Sequence, residues 1–552
     1  MGVELPTMLS SLLTRLPFLG SAAGENHNVT RLVLVAFTVI YVTSRLRKFL
    51  DGRKFIAHMP NFNVAVSPYS PFGLFLPVTR FTPGYWFLWK GRHELYKHLN
   101  GENFAIVPWL EGDPMIISSN LDVMRQVAYG SHRTDFEKPQ EMSQALLFWG
   151  QNLAAADGDT WRKHRRVMGP AFNSKLYQTV WTKTAEIYDQ MVEGEGWTGK
   201  DSVEVPAVQK LTFQVALLVI STCGFGLPFN WEEPPVASDG SMTVQQALSV
   251  TNERTLAVTN LPRWTHKLPL TYFKEIGEAV KQMEKFMNEQ ISLRKQMVGA
   301  GNVMENPDAF TMMVQANEEG DNKYVLENDE LIGNVFILLF AGHETTAHTF
   351  AAALSYLAIN PDIQQEILDH IVSAIGWDGK PTFEDYGKLD KVLAVFYEAL
   401  RLFPSGHLMF RRATKDTTIQ IPRPLGQEGS ETIPVSKGTT VVIDMVGVQY
   451  NARYFDEPEK FKPSRWYGLS LNDADAFTAF SVGPRECLGR RFATIEAVSF
   501  LTLLIRDWKL EPLLQKGETV PEWKERVLDA QILITLGVKD APIRFVRRNK
   551  QG

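Results

Sequence analysis

The residues best equipped for chemistry lie in one loop, Phe480-Ser481-Val482-Gly483-Pro484-Arg485-Glu486-Cys487-Leu488-Gly489, which runs directly into Arg490-Arg491-Phe492-Ala493-Thr494. Cysteine is scarce, with Cys223 and Cys487 the 2 among 552 residues. A reactive thiolate has to be held deprotonated by nearby donors, positive charge or a metal. Gly483 and Gly489 let the backbone approach something flat and turn its amides toward the sulfur, and Arg485 brings a cation. The bland alternative is a buried free cysteine in a turn before a helix. A second constellation, Ala341-Gly342-His343-Glu344-Thr345-Thr346, interrupts the longest apolar helical pattern, 330–358. Glycine inside a helix costs about 1 kcal/mol relative to alanine, and a mid-helix threonine can bond back to a carbonyl and bend the helix. Together they predict a local opening for a ligand or water. His343 and His348 imitate a zinc-protease motif, but ligands on one helix face need a spacing of four. At a spacing of five the second histidine points about 140° away.

Two further pairs have helical spacing. Glu398 and Arg401 stand three apart, close enough to pair, although such a pair alone is common on surfaces. Trp161 and Arg165 stand one turn apart, and an arginine fork matches a carboxylate in geometry. Arg162, Lys163 and Arg166 point away from that face, and Arg490 and Arg491 follow the cysteine loop. These cations make either a solvated basic face or a docking patch for an acidic partner.

The cysteine loop resembles the haem-ligand signature of the cytochrome P450 family, F-x-x-G-x-R-x-C-x-G, and matches it at every fixed position. The resemblance covers roughly residues 60–545 and implies a mainly α fold with small β-sheets. It implies haem as cofactor, with Cys487 as the axial thiolate and metal ligand, the ligand type that favours O–O cleavage. Ala341 to Thr345 is similar to the family's A-G-x-[DE]-T, in which Glu344 and Thr345 relay protons to dioxygen through positioned water. Trp161, Arg165 and Arg485 would bind the haem propionates. Arg411 would join them, with only its spacing from Pro404 favouring it over Arg412. Glu398, Arg401 and Arg465 would form a buried structural triad, allowed only if every charge is paired. A proline that the family often carries after Asn451 is replaced here by Ala452, which bears on loop geometry and not on chemistry.

The rest of the chain is consistent with a large globular protein. Apolar residues make up 44%, and the net charge of −5 gives no reason to expect nucleic acid. Two cysteines cannot build a disulfide framework. The run Leu32–Val42 is nearly pure hydrocarbon, shorter than the ~20 residues a bilayer core asks for. Snorkelling of Arg31 and Arg45 would extend it, and the basic residues that follow would stay cytoplasmic. A signal peptide is the rival, without a convincing cleavage site. The expected division is a lumenal segment 1–28 carrying the sequon Asn28-Val29-Thr30, an anchor helix 29–46, a basic and proline-rich linker 47–85, and a catalytic domain 86–545. The protein would then be a single-pass glycoprotein of the endoplasmic reticulum membrane with its catalytic domain in the cytoplasm.

Segments 146–149, 336–340 and 405–410 are mostly apolar or aromatic, as the lining of a greasy site should be, with His407 as one polar group that could orient a substrate. The expected activity is oxygen insertion into a C–H bond of a lipophilic molecule, a terpenoid or sterol of secondary metabolism by resemblance to microsomal fungal members. Electrons would come from NADPH through a cytochrome reductase, with a small b-type cytochrome as a further donor. Fatty-acid hydroxylation, and an isomerase or dehydratase that does not use dioxygen, are the catalytic alternatives. A non-catalytic haem-binding membrane protein stands behind them.

Overall fold

The computed structural model describes residues 25–549, apart from 57–58, 71, 74–75, 100, 130–134, 228, 233–240, 301–307, 319–323, 470–475 and 533–534. Most of the segment expected to be lumenal, 1–28, therefore lies outside the described residues, as does Pro71 of the linker. The chain forms two compact units, residues 25–84 with 106–114, and residues 85–105 with 115–549.

The first unit begins with helix α1, Glu25–Phe55, which exposes Leu32, Val33, Leu34, Phe37 and Ile40. Beyond this run the helix turns basic, and three of its side chains bond to the same loop. Tyr41 donates to the Leu110 carbonyl at 2.9 Å, Arg45 to that of Gly112 at 2.5 Å, and Lys48 to Asp113 at 2.6 Å. Two of the cations expected to flank a membrane span are thus held by protein acceptors. Among the described residues no helix is long and apolar enough to cross a membrane. Arg31 and Arg45 bracket a short apolar run, so 29–46 is here part of a longer helix with exposed apolar residues, and the expected span is not shown.

The second unit is mainly helical. Its elements that matter here are α2 (Gly158–Met168), α3 (Ser174–Gly194), α4 (Val208–Val219), α5 (Asn328–Ile359), α6 (Asp390–Leu402) and α7 (Arg490–Asp507). Helix α5 starts at a capping box in which Glu327 and Glu330 satisfy each other's free amides. Apolar on nearly all sides, it is buried along most of its length and packs against α4, α6 and the C-terminal strands. Strands Met115–Ser118, Thr440–Asp444, Leu408–Ala413 and Phe136–Glu137 share a sheet, the first pair parallel and the others antiparallel. Small antiparallel sheets join Thr417–Pro422 to Ser430–Val435 and Ala530–Ile532 to Leu536–Val538. Sequence patterning marks a strand near 532–536, whereas the structure pairs two antiparallel strands there, with Ile532 opposite Leu536.

The helix α5 is unbroken through residues 341–346, so the opening predicted from Gly342 is not present as a break. Gly342 has another cause. A Cβ there would lie 2.7 Å from Ile220 Cγ1, and Ile220 begins the π-type turn Ile220–Gly224 that ends α4. The missing side chain lets two buried helices meet.

Behind the cysteine loop, Glu398 and Arg401 are wholly buried on α6. Arg401 grips Glu398 through two bonds of 3.0 and 2.9 Å, and Arg465 reaches both carboxylate oxygens at 3.0 and 3.1 Å. Trp466 Nε1 and the Lys462 amide add bonds of 2.8 and 2.9 Å. The carbonyls of Gln449, Pro458 and Lys460 take the remaining Arg401 protons at 2.7, 2.8 and 3.1 Å. Every N–H of the Arg401 guanidinium is thereby matched to an acceptor, as buried charge requires, and the network welds segment 449–466 to α6; Arg465 Nη2 is buried without a partner among the described residues. Glu398→Ala leaves two guanidinium groups facing an empty acceptor position, so the folded state should lose about 3–5 kcal/mol. Chemical denaturation is expected to show this, with Glu398→Gln falling between the two.

Candidate active site

The thiol of Cys487 opens into a cavity of about 630 Å³ in the second unit. The loop carrying it is shaped by its own backbone. Gly483 and Ser481 both take left-handed conformations, φ 78° and 66°, which glycine adopts freely and serine rarely does. The Cys487 amide donates to the Phe480 carbonyl at 2.9 Å. A Cβ on Gly489 would stand 3.9 Å from the sulfur, so that glycine leaves room beside the thiol. Burial among protein atoms pushes the Cys487 thiol up from its ordinary range, against the lowering pull of the Gly489 amide, Arg165 and Arg490. The protein alone therefore favours the protonated sulfur, and a bound metal ion supplies what is missing, because a coordinating thiol is deprotonated outright. Cys223 is buried in the π-type turn, and burial pushes its thiol up too.

One edge of the cavity is cationic. Lys138, Trp161, Arg165, Arg411 and Arg485 all line it. Arg485 pairs with Asp157, donates to the Ala156 carbonyl at 2.9 Å, and lies over the Trp161 ring at 4.9 Å. Arg165 reaches the Glu486 carbonyl at 3.4 Å. Arg411 is buried; among the described residues its side chain donates to the Phe410 carbonyl at 2.8 Å and its Nε has no partner. Arg412 instead pairs with Glu141, as alternation along a strand requires. Arg411, rather than its neighbour, therefore faces the cavity.

Lys138 has no warning in the sequence. Burial, reinforced by Arg411 and Arg485, pulls its ammonium down to about 7. Asp157 is the carboxylate that answers this group of cations. Such an excess of buried positive charge suits a ligand bearing carboxylates at its rim, above a thiol that needs a metal. Haem meets both conditions, and the residues present fit it.

Opposite the cysteine loop, Ile337, Leu338, Ala341, Gly342, Thr345, Thr346 and Thr349 place one face of α5 on the cavity. The Thr345 hydroxyl bonds back to the Ala341 carbonyl at 2.9 Å. Glu344 does not line the cavity. It is buried behind Thr345, accepts from Thr535 at 2.7 Å, and burial raises its pKa to about 7. His343 and His348 are held neutral by burial, each pulled down to about 4. Among the described residues no group of three or more His, Cys, Asp or Glu could hold a metal ion.

The expected substrate lining is met in part. Residues 405–410 and Leu146 face the cavity, as do Ile337 and Leu338, whereas Phe336 and Phe340 do not. The period of the helix turns these two rings together on another face, where they stack at 5.8 Å and Trp149 packs on Phe336 at 4.5 Å. His407 is buried at the cavity, and its Nε2 meets the Tyr85 hydroxyl at 3.1 Å. The basic face of α2 is also less free than its composition suggests. Arg162 pairs with Asp159 at 2.5 Å, Lys163 turns to Glu330 at 2.6 Å, and Arg166 covers the Tyr324 ring at 4.5 Å.

A mostly helical unit with an open cysteine thiol under a long helix defines a haem-thiolate protein. The family profile described as Cytochrome P450 matches residues 73–535. Cytochrome P450 monooxygenase 124 of Postia placenta is 33% identical over 94% of this chain and 99% of its own. A cytochrome P450 monooxygenase of Arthrobotrys oligospora is 27% identical over 76% of this chain and 78% of its own. The phomenoic acid biosynthesis cluster cytochrome P450 monooxygenase of Leptosphaeria maculans is 26% identical over 72% and 74%. The fold is shared with a crystal structure of a cytochrome P450 (CYP102L1), at a TM-score of 0.64 and 20% identity, covering 83% of this chain and 94% of that one. The chain belongs to the cytochrome P450 family of monooxygenases, oxidoreductases whose haem is held by a cysteine thiolate.

Replacing Lys138 by Met removes a cation that burial already opposes. The apoprotein should be at least as stable in thermal unfolding, while haem should leave for a scavenging protein roughly ten- to a hundredfold faster, as fits losing one charge-assisted bond of about 1.5–3 kcal/mol. Unchanged haem release would separate Lys138 from cofactor binding.

Proposed function

We propose that this chain is a haem-thiolate monooxygenase in which Cys487 is the iron ligand and Trp161, Arg165, Arg411 and Arg485, joined by Lys138, hold the propionates. The observation that carries this reading is the placement of Cys487 on the cavity, with Cys223 packed away from it. Bound haem supplies dioxygen activation, for which a thiolate ligand favours O–O cleavage. The Thr345 hydroxyl, at the cavity, orders water, and the Glu344 carboxyl behind it feeds protons to that water. A buried acid poised near neutrality can both give and regain a proton. Glu398, Arg401 and Arg465 hold the scaffold and take no part in proton movement.

The substrate is lipophilic, because apart from the Tyr85–His407 pair, Ser405 and the threonines of α5 the face away from the cations is apolar. A terpenoid or sterol of secondary metabolism fits it, and the biosynthetic-cluster relative of Leptosphaeria maculans supports such a setting. Electrons come from NADPH through a cytochrome reductase docking on the α2 face. Since Arg162 is exposed and Lys163 is paired inward, Arg162→Glu should slow reduction severalfold at low salt, an effect that fades as salt rises. Lys163→Glu should instead lower the melting temperature by breaking its bond to Glu330. The chain is held at the endoplasmic reticulum membrane by the exposed apolar residues of α1, and should sediment with microsomes but not after deletion of 25–46.

The direct test is the absorption of the dithionite-reduced protein under carbon monoxide, followed by NADPH consumption with lipophilic candidates. The thiolate-type spectrum is expected in the wild type and in Cys223→Ser, and is expected to vanish in Cys487→Ser. Its persistence in the last variant would refute the reading.

A further inference from the structure

We propose that Thr535 is a positioning residue for the proton-delivering acid, and that its hydroxyl clasps the C-terminal hairpin to Glu344. The proposal rests on the relay reading of Glu344 and Thr345 given above. The Thr535 hydroxyl donates to Glu344 Oε1 at 2.7 Å, and both side chains are buried, 7% and 8% exposed. Oε2 is buried with no partner, so this bond alone fixes the carboxyl's rotation among the described residues. A buried acid with one donor has little else to hold it against turning.

The clasp is part of a ring of contacts. Thr535 immediately precedes the strand Leu536–Val538, whose Leu536 pairs with Ile532. The next amide, that of Leu536, donates to the Ser405 carbonyl at 3.1 Å. The Ser405 hydroxyl donates to the Thr345 carbonyl at 3.2 Å, and the Thr345 hydroxyl to that of Ala341 at 2.9 Å. Acid, hairpin, the segment after α6 and alcohol are thereby joined around one turn of α5. The hairpin also sits as close as a missing side chain permits, since a Cβ on Gly537 would fall 1.9 Å from His348 Nδ1. Ser405 lines the cavity, so whatever shifts that segment is transmitted to both members of the relay. Thr535 touches neither the cavity nor the reacting atoms and acts through Glu344.

The test uses the haem-loaded enzyme with its reductase. The protonated carboxyl band of Glu344, identified by its loss in Glu344→Gln, is followed by infrared spectroscopy. Thr535→Val keeps the shape and removes the donor, so the band should move to higher wavenumber; Thr535→Ser should restore it, and Thr535→Ala serves as a second donor-free variant. NADPH-driven oxygen consumption should fall about three- to tenfold in Thr535→Val, as expected for losing one net hydrogen bond, and recover in Thr535→Ser. In a Glu344→Gln background the same change should have no further effect. A band unmoved in both donor-free variants, or multiplying effects in the double variant, would overturn the proposal. If Glu344→Gln itself leaves oxygen consumption and its solvent isotope effect at wild-type values, the relay reading fails instead, while the infrared band still decides whether Thr535 positions the carboxyl.

Discussion

The structure turns on an imbalance of charge buried beside a sulfur. Four cations line one edge of a cavity, with Asp157 as the carboxylate that answers them, and a thiol that burial keeps protonated opens into the same space. Neither feature is favourable in the protein alone. Desolvated cations in excess of the Asp157 carboxylate and an unpartnered Arg411 Nε are costs that a compact domain carries only where a ligand removes them. A metal-bearing ring with carboxylates at one rim removes both, and family membership identifies it as haem. On the proposed reading, the thiol would be neutralised by the metal and the cations by the carboxylates of the bound group.

Holding these groups in register is the work of the Glu398 network. A carboxylate with partners from Arg401, Arg465, Trp466 and the Lys462 amide leaves no polar atom of its own to water. Such a hub resists any sliding of segment 449–466 on α6, because movement would expose several charged bonds at once. Above the cavity the tolerance is of another kind. Gly342 meets Ile220 and Gly537 meets His348 at distances that exclude a side chain, so α5 is held by close approach as much as by apolar area.

What the sequence made legible follows how contacts are distributed along the chain. Cys487, Arg485 and Gly489 are neighbours in sequence and in space, and Glu398 with Arg401 share one helical turn, so spacing alone exposed them as candidates. Arg465 could be placed beside Glu398 only through resemblance, since 64 residues separate it from Arg401. Lys138, Tyr85 and Thr535 left no local signal, because each acquires its partner through tertiary packing alone. Gly342 misled for the same reason: a glycine read as a weak point in one helix is explained by a residue of another. The rings of Phe336 and Phe340 were assigned to the cavity by composition, and the helical period places them on a different face.

In the proposed reading the Cys487 sulfur is the protein ligand of the haem iron. X-ray absorption at the iron edge of the purified haem-loaded protein measures that bond without reference to any substrate. A sulfur neighbour is expected in the first coordination shell, persisting in Cys223→Ser and absent in Cys487→Ala. A sulfur signal that survives loss of Cys487, or an iron shell of nitrogen and oxygen alone in the wild type, would contradict it.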